Sequence, residues 1–259
     1  MVSEIPKFSS IVFNEKANKY CLCIPVINEG SRIIEELMKL KENNIHKVVD
    51  IILCDGGSTD GSMEMERLKE LSVNTLLTKL DNGKLSAQLR MGYYWALERG
   101  YKGIVTVDGN NKDSVESIPL FVEKLDAGYD MIQGSRFIEG GHAINTPMTR
   151  HLAVKLIHAP VISIAAKHRF TDTTNGFRGY SKMYLEDNRV KPFRNIFDSY
   201  ELLAYLSVRA TQLGMKVIEV PVTRSYPEDG GVPTKISGIK GNLNLLSILF
   251  KTLIGKYNP

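Results

Sequence analysis

The chain has 259 residues, 43% of them hydrophobic and 24% charged, with a net charge of +4 and a pI near 8.8. This composition is typical of a globular protein with a large core. The basic excess suits an anionic ligand or an anionic membrane surface, and it is too small to indicate nucleic acid. Three cysteines, without metal-ligand spacing or a secretory signal, predict core residues in a reducing cytoplasm.

Strands and helices alternate over the first half of the chain. Apolar runs predict five strands, at residues 20–25, 48–53, 73–77, 103–107 and 131–133. Between them, helical spacing predicts a helix that begins at Ser31 and further helices at 61–71, 84–99 and 115–126. This alternation predicts an α/β fold in which helices cover both faces of a mostly parallel sheet.

The alternation breaks after residue 133. A long helix is predicted over 146–167, interrupted by Pro160, and residues 172–180 are predicted as a polar loop or strand. A helix at 200–213 and a strand at 216–223 follow. Residues 224–240 are rich in Gly, Pro and charge, and they predict a mobile loop.

Two of the predicted strands end in an aspartate beside glycine. The run 48–53 leads into Asp55 and a glycine pair, and residues 103–113 repeat this layout with Asp108 and Gly109. The carboxyl ends of parallel strands form the edge at which open α/β sheets bind ligands, so the two acids predict a nucleotide site with a metal position. Asp55 could accept bonds from a ribose or base, or it could cap the turn that follows it.

The segment 108–113 carries most of the predicted chemistry. Asp108 and Asn110 alternate out of the strand end, and their oxygens suit a hard divalent cation, with Asn110 as the weaker ligand. Lys112 would repel a cation, yet it could itself neutralise phosphate. Asp113 fits better as a cap for the next helix.

Other candidates lie near the same predicted edge. Asn28 and Glu29 follow Pro25, and a solvated loop is the alternative explanation for them. Lys84 opens a helix after Gly83, which would make an anion site suited to a diphosphate, although a surface lysine is equally expected. The apolar segment 243–254 is too short to cross a bilayer, so it either packs on the core or lies in the membrane interface.

Seven motifs together resemble those of family 2 inverting glycosyltransferases of the GT-A fold. The similar branch is that of the polyprenyl-phosphate (dolichyl-phosphate) mannose or glucose synthases, and the resemblance covers about residues 20–245. The motifs are IPVINEG, LCDGGSTDGS, a GK-containing helix start, VDGNNKD followed by IP, QGSRFIEGG, TDTTNGFRGYS and TKISG.

The resemblance implies one GT-A domain over 1–259. Its nucleotide-sugar half would cover about 20–133, its acceptor half about 134–240, and a C-terminal helix 241–259. The residues that it implies for binding the nucleotide-sugar are Pro25, Asn28, Glu29, Asp55, Lys84, Asp108, Gly109, Arg224 and Lys235.

The resemblance also implies catalytic and metal-binding roles. Ser135 and Arg136, with Asn175 and Arg178 nearby, would contact an acceptor phosphate. The implied catalytic residues are Asp108, Lys112, Arg136 and Arg178, and Mg²⁺ or Mn²⁺ would be held by Asp108 and Asn110.

Two positions depart from the family pattern. Asn110 replaces the second acid of the usual Asp-x-Asp motif, and Lys112 stands where the family has an uncharged polar ligand. We therefore hypothesise weaker metal binding, in which Lys112 supplies part of the cation's charge.

The expected reaction moves a sugar from a GDP- or UDP-sugar, with inversion, to a polyprenyl-phosphate-like lipid at the cytoplasmic face of the membrane. One alternative is transfer to a hydroxyl of a glycan or small molecule, with Asp198 or Glu201 as the base. Another is a nucleotide-binding module without catalysis. The expected partners are a nucleotide-sugar and a lipid-phosphate or glycan acceptor, without nucleic acid, while peripheral membrane contact and self-association stay open.

Overall fold

The computed structural model of the chain describes residues 4–228 and 238–259. Its strands are β1 (Phe8–Val12), β2 (Cys21–Val26), β3 (Asp50–Asp55), β4 (Val73–Lys79), β5 (Gly103–Thr106), β6 (Met131–Ser135), β7 (His142–Ile144), β8 (Arg178–Ser181), β9 (Val217–Pro221) and β10 (Thr223–Ser225). Its α-helices are α1 (Ser31–Glu42), α2 (Met65–Glu70), α3 (Leu85–Glu98), α4 (Ile118–Asp126), α5 (Met148–Ala153), α6 (Ala159–Ala166), α7 (Lys182–Glu186), α8 (Glu201–Gln212) and α9 (Gly238–Leu253).

The larger sheet has the strand order β1-β4-β3-β2-β5-β8-β6-β9, and β7 pairs with β10 in a small second sheet. Strands β1 and β8 run antiparallel to their neighbours, while the remaining pairs of the larger sheet are parallel. The prediction of a mostly parallel α/β sheet is thereby confirmed.

Two hydrophobic cores lie on opposite faces of this sheet. Successive residues of a strand point to opposite faces, and in β2 Cys21 and Cys23 belong to one core while Leu22 and Ile24 belong to the other. The core with the cysteines packs against α3, α6, α8 and α9, and the other packs against α1, α2 and α4. All three cysteines are free and buried, as predicted.

Several element boundaries differ from the sequence predictions. Strands β1 and β7 were not predicted, the helix predicted at 61–71 is the shorter α2, and the strand predicted at 216–223 divides into β9 and β10. Near Pro160 the helix continues, because a π-helical turn (Val154–His158) precedes it and the proline falls in the first turn of α6. Arg224 lies in β10 rather than in a loop, and 229–237 lie outside the described residues.

The topology brings distant segments to one edge of the sheet. Strands β2, β3 and β5 are parallel, so their carboxyl ends lie together. Strand β8 is antiparallel to β5 and pairs Arg178 with Thr106, so the loop that precedes β8 arrives at the same edge. Strand β10 contributes Arg224, whose backbone pairs with that of Asp113 in a single antiparallel β-bridge. The predicted site residues are thus collected from both halves of the chain.

Candidate active site

A buried charge cluster forms the centre of this edge. Arg224 donates from Nη2 to Asp108 Oδ2 at 2.9 Å and from Nη1 to Asp113 Oδ2. The Arg224 and Asp113 side chains are 7% and 0% exposed, whereas that of Asp108 is 24% exposed. Asp108 is therefore the member of the cluster that a ligand can reach.

Backbone hydrogen bonds fix β10 against the segment after β5. The Ser225 N–H donates to the Lys112 carbonyl at 2.8 Å, and the Ser114 N–H donates to the Thr223 carbonyl at 3.0 Å. Asp113 does not cap the following helical turn, as the sequence had suggested, because its carboxylate pairs with Arg224 and the cap position belongs to Ser114. That prediction was wrong because the sequence carries no signal for a partner 111 residues away.

Burial and mutual charge set the electrostatics of the cluster. Burial alone would lower the pKa of Arg224, but Asp113 and Asp108 raise it above the usual arginine value. Burial raises the pKa of Asp113, and Arg224 opposes this rise. The pairs therefore hold Arg224 as a permanent cation inside the protein.

Lys112 lies beside this cluster as a second buried cation. Lys112 is 6% exposed, and its Nζ lies 4.9 Å from the centre of the Tyr226 ring. Burial first and Arg224 second lower the pKa of Lys112 to about 8, while Asp108 and Asp113 oppose this shift. At neutral pH the edge therefore carries two cations of the chain's own.

Helix α1 holds the loop that carries Lys112. Glu36 Oε2 accepts from the Asn111 N–H at 2.8 Å, and Lys39 Nζ donates to Asn111 Oδ1 at 2.8 Å. Asn111 has a φ of 57°, a left-handed conformation that asparagine tolerates better than most residues. Burial raises the pKa of Glu36 well above the usual glutamate value. Sequence reasoning missed this residue.

The two predicted metal ligands provide a poor donor set for a divalent cation. Asn110 Oδ1 is buried and, among the described residues, has no hydrogen-bond partner, so it could face a cation or a water. Asp108, however, already pairs with Arg224, and Lys112 adds positive charge nearby. The described residues contain no group of three His, Cys, Asp or Glu side chains arranged for a metal. The site does not fit the usual two-carboxylate pattern.

Two glycines at this edge permit close packing, one against Asp108 and one against β2. A Cβ at Gly176 would lie 2.3 Å from Asp108 Oδ1, so a side chain there would collide with the carboxylate. A Cβ at Gly109 would lie 3.1 Å from the Pro25 carbonyl oxygen, where β2 approaches β5. Gly109 and Pro25 thus lie at the predicted edge as parts of its close-packed backbone.

The carboxyl end of β3 is built differently. Asp55 is 2% exposed, and its Oδ1 accepts from the N–H of Ser58 at 2.9 Å and from its hydroxyl at 2.7 Å. Asn28 Oδ1 accepts from the Thr59 N–H at 2.8 Å, which ties the loops after β2 and β3 together. The turn-capping role of Asp55 is therefore present, and nucleotide contact by Asp55 and Asn28 stays a prediction.

Glu29 and Lys84 each lie just before a helix, α1 and α3 respectively. Glu29 forms an ion pair with Arg32 at 2.8 Å in the first turn of α1. Lys84 is exposed and precedes α3 directly, as predicted, and its backbone N–H donates to the Asp198 carbonyl. Lys235 lies outside the described residues.

On the acceptor side, Arg136 is held by a buried carboxylate. Its Nε and Nη2 donate to Asp172 at 2.6 and 2.9 Å, and Nη2 also donates to Thr174 Oγ1 at 3.0 Å. Burial would lower the pKa of Arg136, but its bonds with Asp172 raise it. Ser135 lies next to it, with its hydroxyl 2.6 Å from that of Thr171. The fork geometry fixes the orientation of the guanidinium group.

Arg178 lies deeper, with 1% of the residue exposed. It donates to the carbonyl oxygens of Thr173, Asn175 and Leu203 and, at 2.9 Å, to the Ser207 hydroxyl. These bonds fasten the loop before β8 onto α8. They support a role in positioning that loop more than direct contact with an acceptor phosphate, which stays a prediction.

Asn175 lies between Arg178 and the charge cluster. Its Oδ1 accepts from the Phe177 N–H at 3.0 Å and lies 3.4 Å from Arg224 Nη1. Its Nδ2 is buried and has no hydrogen-bond partner among the described residues. A buried donor of this kind is costly unless a ligand or water satisfies it, so Asn175 marks a place for an acceptor atom.

The two candidate bases for a hydroxyl acceptor, Asp198 and Glu201, lie close to the start of α8. Glu201 Oε2 accepts from the backbone N–H groups of Asp198 and Ser199, at 3.1 and 2.6 Å. Its carboxylate therefore holds the turn that precedes α8. Asp198 is exposed beside Gly83, where an added Cβ would lie 2.8 Å from its Oδ1.

Solved structures with the same architecture define the class of fold. Glucosyl-3-phosphoglycerate synthase from Mycobacterium tuberculosis, in complex with phosphoglyceric acid, matches with a TM-score of 0.67 at 14% identity, over 90% of this chain and 79% of that chain. The same protein in complex with Mn²⁺, UDP-glucose and phosphoglyceric acid matches over the same shares with a TM-score of 0.64 at 13% identity. The fold is that of the GT-A glycosyltransferases.

The chain belongs to glycosyl transferase family 2, whose model matches residues 21–189. Polyprenol monophosphomannose synthase from Mycolicibacterium smegmatis is 28% identical over 238 residues, covering 88% of this chain and 83% of that protein. Undecaprenyl-phosphate mannosyltransferase from Micrococcus luteus is 28% identical over 224 residues, covering 83% of this chain and 86% of that protein. The predictions of family, fold class and glycosyltransferase activity are confirmed. Across the described ranges, no helix is both long enough and apolar enough to cross a membrane.

Proposed function

We propose that the chain transfers a sugar, with inversion, from a GDP- or UDP-sugar to a polyprenyl-phosphate-like lipid at the cytoplasmic face of a membrane. The observation that carries this proposal is the Asp108–Arg224–Asp113 cluster, which joins the end of β5 to β10 and leaves Asp108 accessible. The names of the relatives from Mycolicibacterium smegmatis and Micrococcus luteus support this class of acceptor.

Departure of a nucleoside diphosphate requires positive charge near its oxygens. Lys112 and Arg224 lie beside Asp108 as buried cations, and Lys84 is exposed at the start of α3. A cation in a site with little water acts more strongly on a phosphate than a cation in solvent. In this proposal, the chain's own residues therefore supply the charge that stabilises the leaving group.

A Mg²⁺ or Mn²⁺ ion would be held only weakly in this site. Its ligands would be Asp108, which is shared with Arg224, and the neutral amide oxygen of Asn110. Lys112 would oppose a second cation at this position. We therefore expect weaker metal binding, in which Lys112 supplies part of the cation's charge.

The acceptor side suits a phosphate monoester. Such a group is already a nucleophile near neutral pH, so its attack on the anomeric carbon requires no general base. Arg136, oriented by Asp172, would contact the acceptor phosphate, with Ser135 and the buried amide of Asn175 nearby. Arg178 would act as a positioning residue, because it holds the loop that contains Asn175.

A hydroxyl acceptor is the second candidate, and the contacts of Glu201 disfavour it. A base must lie within hydrogen-bond reach of the proton that it removes, and Glu201 already accepts two backbone N–H groups. Asp198 is the other candidate base, and it is exposed.

The test is a transfer assay with labelled GDP- and UDP-sugars and a pair of matched acceptors. Polyprenyl phosphate and the corresponding polyprenol have the same chain and differ in the phosphate. We expect label on the phosphorylated lipid and none on the alcohol, with Asp108→Asn as the inactive control. Label on the alcohol would support the hydroxyl reaction, and nucleotide binding without transfer would support a non-catalytic module.

A further inference from the structure

We infer that α5, α6 and α9 form a docking surface for an anionic lipid bilayer. We call this surface the membrane face, and it consists of the exposed apolar side chains of residues 148–164 and 243–254. The inference rests on the proposed function, because a lipid acceptor must be reached at a membrane. It adds which surface of the protein meets the lipid.

Exposed apolar side chains are concentrated on these helices. Of the nineteen large apolar side chains that the described residues expose, ten lie on the membrane face, while the other nine are spread over the rest of the fold. Scattered exposed apolar residues are normal, whereas a contiguous set marks an interaction surface. The ten are Met148, Leu152, Leu156, Ile157, Ile164, Leu243, Leu246, Phe250, Leu253 and Ile254.

The exposures of these residues place them on the outer sides of their helices. Met148, Leu152, Leu156 and Ile164 are 70, 47, 69 and 68% exposed. Ile162 lies on the opposite, buried side of α6, in the hydrophobic core that faces α3 and α8. The outer stripe therefore contributes nothing to the core that its own helix helps to form.

Helix α9 has the same division into two sides. Ile248 and Leu249 are 4 and 5% exposed and belong to the core that also contains Ile162. Phe250 and Leu246 are 61 and 45% exposed on the other side. The sequence left core packing and membrane contact as alternatives for this segment, and the helix has a surface for each.

The charges around the membrane face suit anionic head groups. The sequence has no Asp or Glu between Gly140 and Thr171 or between Gly238 and Pro259. Both stretches contain basic residues, of which Lys155, Lys167, Arg169, Lys251 and Lys256 are exposed. Basic residues flanking an apolar surface are attracted to anionic lipids.

The same charges disfavour a second copy of the chain as the occupant. A symmetric dimer places identical patches against each other, so the basic residues of one copy would meet those of the other. Neither stretch contains an acidic side chain that could compensate them. A bilayer with anionic head groups has the charge that the surface lacks.

The membrane face begins next to the acceptor side of the active site. Phe137 follows Arg136, whose guanidinium carbon lies 5.1 Å from the centre of the Phe137 ring. Lys155 Nζ, from the π-helical turn between α5 and α6, lies at the same distance from that ring, and the His151 ring packs edge-on against it. A lipid phosphate at Arg136 could therefore keep its chain along the membrane face.

Vesicle flotation of the full chain tests this inference. Neutral phosphatidylcholine vesicles are compared with vesicles that also contain phosphatidylglycerol. The test variant is Leu156→Glu with Phe250→Glu, and the matched control is Leu80→Glu with Met183→Glu, whose side chains are 65 and 66% exposed elsewhere. We expect the wild type and the control to float with anionic vesicles, and the test variant to lose at least tenfold in binding.

Several outcomes would overturn the inference. One is a wild type that binds neither kind of vesicle, and another is an equal loss in the control. A wild type that is dimeric in solution, with a monomeric test variant, would assign the surface to a second copy.

Transfer to a short, water-soluble polyprenyl phosphate separates this inference from the proposed function. The test variant should keep this transfer activity. A wild type that lacks this transfer activity would contradict the proposed function, and the flotation result would remain valid.

Discussion

The carboxyl ends of β3 and β5 look alike in sequence and differ in structure. Each is an apolar strand followed by an aspartate and a glycine. Asp55, at the end of β3, bonds to Ser58 within its own loop. Asp108, at the end of β5, pairs with Arg224, which lies 116 residues further along the chain. The first strand end is held by bonds within its own loop and to the neighbouring loop after β2, and the second depends on contact between the two halves of the chain.

This difference separates two kinds of residue that a motif does not distinguish. Asp55 stabilises a turn, so its replacement should affect mainly the loop. Asp108 is a ligand-accessible carboxylate that contacts a buried ion pair, so loss of its charge should affect transfer, whereas loss of Arg224 should affect stability. The predictions below test this contrast, beginning with the largest expected effect.

Arg224→Met should cause the largest loss of stability. It leaves Asp113 as a buried carboxylate without its cation, and breaking a buried pair in this way costs about 3–5 kcal/mol in the free energy of unfolding. Urea denaturation measures this loss. The control is Arg189→Met, which removes an exposed pair with Asp187 and should leave the unfolding midpoint unchanged. Equal effects of the two variants would contradict the cost expected for an unpaired buried carboxylate.

Asp108→Asn should cause the largest loss of activity with little change in fold. The substitution keeps the shape of the side chain and removes the charge that orients Arg224 at the ligand-accessible edge. Loss of one preorganised electrostatic contact typically lowers kcat by about 10²–10³-fold. Steady-state transfer assays measure the change, and circular dichroism controls for folding. A variant with wild-type kcat would exclude Asp108 from the reaction.

Asp55→Asn should have a smaller effect, mainly on stability. The amide can still accept one of the bonds from Ser58, so we expect a loss of about 1 kcal/mol in the free energy of unfolding. Its transfer rate should fall less than that of Asp108→Asn, measured side by side. A larger loss of activity in Asp55→Asn would reverse the contrast between the two strand ends and indicate direct nucleotide contact.

Glu36→Gln should have the smallest effect, and its size depends on pH. Burial raises the folded-state pKa of Glu36 above its ordinary value of 4.5, so its contribution to stability is present below about pH 4.5 and is lost as the pH rises towards the folded-state pKa. Glutamine keeps an oxygen for the Asn111 N–H without titrating. The free energy of unfolding should therefore fall less with rising pH in the variant. Parallel pH profiles of the two proteins would contradict this account.

The parallel half of the fold could be predicted because its strands are buried. Strands buried on both faces are continuous apolar runs, and β2 and β3 have this pattern. Strand β1 could not be predicted in the same way, because all but one of its residues are exposed and no alternation results. Strand β7 has only three residues, with two of them exposed. Short edge strands of this kind carry little pattern.

The sequence could predict which residues belong to the candidate site, but not most of the contacts between them. The motifs indicated Asp108, Lys112 and Arg224, but no local pattern could show that Arg224 pairs with Asp113. Glu36 did leave a signal in the sequence. It lies among Ile33, Leu37 and Leu40 on the apolar side of α1, and a carboxylate at such a position usually has a specific partner.

The most direct test of the account is calorimetric titration of UDP and GDP in the presence of chelator, with the wild type and Lys112→Gln. The central claim is that buried cations of the chain itself neutralise the diphosphate at the end of β5. We expect the wild type to bind one of these nucleotides without metal. Lys112→Gln should bind it at least about tenfold more weakly, a change of about 1.4 kcal/mol, and should recover affinity when Mn²⁺ is added. Binding that requires Mn²⁺ in the wild type and is unchanged by Lys112→Gln would contradict the claim.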